Sequence, residues 1–199
     1  MWRPDIPFIE QRPARLHGWV RRFWQGSHDH RGTPNAPGRV VTLIADENAY
    51  TDGIAYRLPA KDRAGLLAAL DHREKNGYQR LIAPILFRDA SLDQLDIQAH
   101  EELSARVHEP LRNGTIERKV PGTTASCLVY VAKPDNHAFL GAAPPVDIVR
   151  QIAASVGPSG RNIDYLFDLT ATLRKLGIVD EHVFELETLA RQYALHKVL

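Results

Sequence analysis

Asp71-His72-Arg73-Glu74-Lys75-Asn76-Gly77-Tyr78 holds the side chains best placed for acid–base chemistry. Leu67, Leu70 and Glu74 follow one another at spacings of three and four, which puts Glu74 on the apolar side of a helix over 61–74 that Gly77 stops. Burial disfavours a carboxylate, and so does the negative end of a helix dipole. Both effects are expected to raise the Glu74 pKa toward the range useful for proton transfer near neutrality. The same spacing also allows Glu74 to pair with Arg73, Lys75 or another base at the helix end, and spacing alone leaves both readings open.

Other constellations read as packing or turn chemistry. Trp19-Val20-Arg21-Arg22-Phe23-Trp24 interleaves bases with aromatics, but strand alternation sends Trp19, Arg21 and Phe23 one way and Val20, Arg22 and Trp24 the other. That favours core packing over a nucleic-acid stacking platform. His28-Asp29-His30 offers two imidazoles and a carboxylate without a metal-ligand spacing, so no metal site is assigned. Gly157-Pro158-Ser159-Gly160-Arg161-Asn162 lacks the lysine of a phosphate loop and reads as a turn into a helix that also helps to close a pocket. Cys127 lies in a β-like run and is read as a buried small apolar residue.

The elements that must position these groups change period along the chain. Runs over 15–24, 39–44, 53–58, 79–87 and 126–132 are strand-like, and the turn-prone Asp46-Glu47-Asn48 makes a hairpin of the second and third. Leu92, Leu95, Ala99, Leu103 and Val107 mark a helical face within 91–107. Helices are expected over 145–156 and 165–176, with Asp180 capping a last one that carries Val183, Leu186, Ala190 and Tyr193 inward. Strands first and helices last argue for an α+β domain over 1–199. With 44% hydrophobic residues, 25% charged residues and a net charge of +1, the 199-residue chain suggests neither disorder nor a nucleic-acid partner. One cysteine, no signal peptide and no membrane-spanning run point to a soluble cytoplasmic protein.

Seven segments, RRFWQGS (21–27), DHRGTP (29–34), PGRVVTL (37–43), AYRL (55–58), REKNGY (73–78), YVA (130–132) and GPSGRN (157–162), together resemble the ChaC family of γ-glutamylcyclotransferases. The resemblance implies a glutathione-specific enzyme that releases 5-oxoproline and cysteinylglycine without metal or cofactor. It implies a small mixed α/β domain built around a β-barrel, with C-terminal helices, and the chain is read as a monomer. Glu74 matches the family's catalytic glutamate, and Tyr130, Arg39 and Ser27 are the expected substrate contacts. In two places the chain departs from the family pattern. The family begins with a strand and a Tyr-Gly-Ser-Leu loop that grips the γ-glutamyl group, whereas Met1 stands where that loop should just have ended. The reading is a start assigned too late, or else a relative that has lost a barrel strand and serves as a binding or regulatory protein. The second departure is a helical insertion at about 88–124, longer than the family's usual connection.

Overall fold

The computed structural model describes residues 6–75, 77–88 and 124–196, and the expected 91–107 helix and most of the 88–124 insertion lie outside them. Four strands form one antiparallel sheet: β1 (Glu10–Ser27), β2 (Gly38–Arg57), β3 (Tyr78–Phe87) and β4 (Thr124–Ala132), in the order β2-β1-β3-β4. α1 (Arg63–Arg73) crosses from β2 to β3, and α2 (Pro145–Ala154), α3 (Asn162–Lys175) and α4 (Glu181–His196) follow the sheet. A two-residue hairpin, β5 (Val156–Gly157) with β6 (Gly160–Arg161), leads into α3. The fold is α+β, as the order of strand-like and helical periods implies. Among the described residues no helix is long and apolar enough to cross a membrane.

The expected hairpin over 39–58 is replaced by one continuous strand. β2 runs beside β1 from Ser27↔Gly38 to Glu10↔Arg57. The turn-prone residues are taken up in a register shift: the pairing steps from Trp19↔Ala45 to His17↔Tyr50, so 46–49 lie opposite Gly18 alone, whose φ is +79°. A second shift, between Arg22↔Thr42 and Gln25↔Val40, puts Phe23 and Trp24 together opposite Val41. This bulge breaks the expected alternation. Phe23 is fully buried among the helices, and Trp24 packs on the same cluster rather than on the other face.

The sheet does not close into the expected barrel. β1 meets β3 through only two residue pairs, Ala14↔Phe87 and Arg15↔Leu86, and no ladder joins β2 to β4 among the described residues. A side chain takes the ladder's place. The Thr42 hydroxyl donates to Ala132 O and accepts from Ala132 N, both at 3.0 Å. Beside it the Tyr78 hydroxyl donates to Val41 O at 2.6 Å.

Two apolar clusters result. The larger joins Phe23 to Ile148, Ile152, Leu166, Leu169, Leu173, Val183 and Leu186 from the three C-terminal helices. The smaller lies inside the sheet, where Ala14, Leu16, Ala83 and Ile85 meet Trp19, Leu43 and Cys127. Asp180 starts α4 as expected by accepting from Val183 N at 3.1 Å, and it also holds Arg21 of β1 at 2.5 Å. His182 accepts from Phe23 N at 3.2 Å, and burial pulls its pKa down to about 4, so it serves as a neutral acceptor.

Arg39 joins the sheet to the helices. Its Nε donates to Gln151 Oε1 of α2 at 2.7 Å, and its Nη1 donates to Phe23 O and Gly141 O, each at 3.0 Å. Its backbone N–H and C=O are both taken by the side-chain amide of the fully buried Asn162. Arg39→Met would leave Phe23 O, Gly141 O and Gln151 Oε1 without their donor, and we expect it to lower unfolding free energy by about 3 kcal/mol in urea titrations. A loss within about 0.5 kcal/mol, as at an ordinary surface position, would contradict the assignment.

Candidate active site

Glu74 is the first residue past α1. Its backbone (φ −95°, ψ 16°) leaves the helix while its N–H still donates to Leu70 O at 2.9 Å, so it forms the C-cap and not the last helical residue. Two attachments set where this helix end points. Asp71 accepts from Arg80 Nε at 2.7 Å on β3 and from the Tyr130 hydroxyl at 2.8 Å on β4, which draws α1 onto the sheet. Gly77 then turns the chain with φ +90° and passes so close to Asn136 that a Cβ there would stand 2.4 Å from Asn136 Oδ1. Only glycine meets both conditions. Asn136 is in turn held by a reciprocal amide pair with the fully buried Gln25, at 3.2 Å each way.

The Glu74 side chain is 19% exposed and lines a cavity of about 880 Å3. Sites for small molecules commonly fall between about 300 and 1,000 Å3, so the space suits a short peptide. Burial pushes the Glu74 pKa up. Arg73, whose Nε lies 3.7 Å from Glu74 Oε1, and then His30 hold it partly down. The two sequence readings of Glu74 therefore meet in one place: the carboxylate has an arginine beside it, and burial still prevails. Tyr78, also on the wall, is buried, and its pKa lies well above that of an ordinary phenol through burial and then the charges of Tyr165 and Glu74. It remains a neutral donor to Val41 O.

The other acids on the wall are placed differently. Asp52 is buried and paired with Arg15 at 2.7 Å and Arg88 at 2.9 Å, while Asp29 stands at the mouth 3.8 Å from His30 Nε2. Among the described residues no group of His, Cys, Asp and Glu is arranged to hold a metal ion. His30 Nδ1 instead lies 3.0 Å from Ser159 Oγ. Cys127 is half-buried in the sheet cluster, and burial raises its thiol pKa, which leaves it a poor nucleophile.

Three of the four expected site residues line this one cavity, namely Glu74, Tyr130 and Ser27. The Tyr130 hydroxyl is engaged by Asp71, and Ser27 Oγ accepts from Arg31 N at 2.9 Å. Arg39 stands apart, with its guanidinium held between β1 and α2. Sequence reasoning passed over Tyr78, Tyr165, Thr42 and Arg31, all on the wall. Tyr78, Thr42 and Arg31 lay within family-like segments, and a tyrosine directly after a turn glycine was the available signal.

A profile of ChaC-like proteins matches residues 1–193. The chain belongs to the ChaC-like family. ChaC-like relatives include γ-glutamylcyclotransferase 2-3 of Arabidopsis thaliana, 37% identical over 96% of this chain and 84% of its own length. Human glutathione-specific γ-glutamylcyclotransferase 1 is 33% identical over 92% of this chain and 71% of its own. A crystal structure of a yeast γ-glutamyl cyclotransferase specific to glutathione superposes with a TM-score of 0.75 at 28% identity, covering 94% of this chain and 89% of that one.

The electrostatics of this ChaC-like cavity can be tested without substrate. In a carbon-detected NMR titration, assigned with Glu74→Gln, the Glu74 carboxyl is expected to titrate above the ordinary 4.5 and higher again in Arg73→Gln, which removes the charge that favours the carboxylate. Titration at or below 4.5 in both proteins would contradict the burial argument.

Proposed function

We propose that this chain is a glutathione-specific γ-glutamylcyclotransferase, a carbon–nitrogen lyase releasing 5-oxoproline and cysteinylglycine, with Glu74 as its single acid/base. One observation carries the proposal: Glu74 lines the cavity with its side chain largely buried beside a single arginine, and burial shifts its pKa upward. Asp52 is held by two arginines. Membership of a family in which the human and yeast relatives are named glutathione-specific γ-glutamylcyclotransferases supports the substrate.

The chemistry fits one carboxylate because the substrate brings its own nucleophile. The α-amine of a γ-glutamyl amide reaches the γ-carbonyl carbon through a five-membered ring, so the cavity has only to fold the substrate into that pose and exclude water. Glu74, as carboxylate, takes a proton from the α-ammonium, and the freed amine attacks the γ-carbon. Glu74 then gives this proton to the cysteinyl nitrogen as the C–N bond breaks. A second transfer by the same route, from the ring nitrogen to the released amine, restores the carboxylate and leaves a neutral lactam beside the ammonium of cysteinylglycine. A raised pKa brings the donor and acceptor forms closer in energy, as a group used in both directions requires. Backbone donors of the wall steady the oxyanion formed between the steps.

In this reading Tyr130 acts by holding Asp71, and through it the Glu74 turn, while Ser27 acts by fixing the backbone of Arg31. Arg39 acts by fixing the bulge that leads to both. No step asks for a metal or cofactor, and the lone Cys127 suits a reducing compartment such as the cytoplasm. Glu74→Gln keeps the shape and removes the acid. We expect it to lower 5-oxoproline release from glutathione by about 10²- to 10⁴-fold with an unchanged circular dichroism spectrum; activity near wild type would sink the assignment.

A further inference from the structure

The loop between β1 and β2 forms one side of the cavity mouth, and its backbone is fixed from several directions. Arg31 N donates to Ser27 Oγ at 2.9 Å, and Ser159 N donates to His30 O at 2.9 Å. Gly157 passes so close that a Cβ there would stand 2.3 Å from His30 O and 2.5 Å from Gly32 N. This junction delivers one cation to the wall in a defined position. The Arg31 guanidinium lies 5.6 Å from the centre of the Tyr165 ring, and its Nη1 donates to Arg161 O at 3.1 Å.

Arg31 differs from the other arginines on the cavity wall. Arg15 is paired with Asp52 at 2.7 Å, Arg21 with Asp180 at 2.5 Å, and Arg73 lies 3.7 Å from Glu74. The hydrogen-bond partner of Arg31 is a neutral carbonyl, which leaves guanidinium donors over for an anion. His30, with its side chain 55% exposed, and Ser159 stand beside it, and Asp29 lies 3.8 Å from His30 Nε2. Arg31 is the permanently charged group of this rim.

Glutathione carries two carboxylates. The α-carboxylate shares a carbon with the attacking amine and must stay beside Glu74. The glycyl carboxylate lies two residues beyond the scissile bond, about 7 Å away in an extended chain, and so reaches toward the mouth. We propose that Arg31, set by Tyr165 and the 156–161 hairpin and flanked by His30 and Ser159, binds the C-terminal carboxylate of the leaving cysteinylglycine and thereby selects glutathione over γ-glutamyl compounds that lack it. The proposal rests on the cyclotransferase reading above. A planar guanidinium matches a carboxylate with two parallel hydrogen bonds, and a partly exposed site lets the product leave.

The test compares kcat/KM for glutathione and for its C-terminal amide, γ-glutamyl-cysteinyl-glycinamide, in wild type, Arg31→Gln and Arg31→Lys. Wild type is expected to prefer the acid by about tenfold or more, chiefly through KM. In Arg31→Gln the ratio falls toward one, and in Arg31→Lys it recovers in part. An Arg31→Gln enzyme that keeps the wild-type ratio, whether or not its overall rate has dropped, overturns the assignment of Arg31 and leaves the cyclotransferase reading standing. Wild type that releases 5-oxoproline from neither compound overturns both.

Discussion

A buried guanidinium is expensive to keep dry unless its donors find acceptors, and Arg39 supplies its Nε and Nη1 donors with carbonyl and amide oxygens rather than a carboxylate. Burial accordingly lowers its pKa. The acceptors belong to separate parts of the chain: Phe23 at the β1 bulge, Gly141 in the connection after β4, and Gln151 of α2. Asn162, at the start of α3, closes the arrangement from the backbone side. Sheet, helices and connecting loops are thus registered to one another at a single point. The bulge held there turns Gln25, Gly26 and Ser27 inward, all three buried.

The cavity inherits its shape from that registration. Gln25 reaches Asn136, Asn136 stands against Gly77, and Gly77 closes the turn that carries Glu74. Ser27 fixes Arg31 across the mouth. The acid and the rim cation are therefore placed by opposite ends of one short segment of β1. The open seam between β2 and β4 belongs to the same design: the Thr42 hydroxyl bridges it and the Tyr78 hydroxyl ties the start of β3 to β2 beside it, so the wall beside Glu74 is lined by side chains as well as by paired backbone.

What was legible in the sequence follows the range of each signal. Helical periods showed α2 to α4 within a few residues, and the Asp180 cap is where its residue type suggested. Asp46-Glu47-Asn48 misled because those residues favour turns locally, while the neighbouring strand absorbs them opposite Gly18. Glu74 was legible as a partly buried acid but not as a cap one residue beyond the helix, a boundary that the turn at Gly77 and its contact with Asn136 decide. Arg39 sat in a segment shared with a family and was read as a substrate contact; its partners lie 16, 102 and 112 positions away, beyond any local pattern. Tyr130 also sat in a segment shared with the family and was read as a substrate contact; its partner Asp71 lies 59 positions away, which no local pattern reports.

In the proposed reaction the substrate's own amine, not water, attacks the γ-carbonyl while Glu74 moves the protons. Turnover of glutathione in ¹⁸O-enriched water, followed by mass spectrometry of the products, tests it most directly. The account predicts unlabelled 5-oxoproline formed one for one with cysteinylglycine. Glutamate carrying ¹⁸O in its γ-carboxylate would contradict it, because that label enters only if water is the nucleophile.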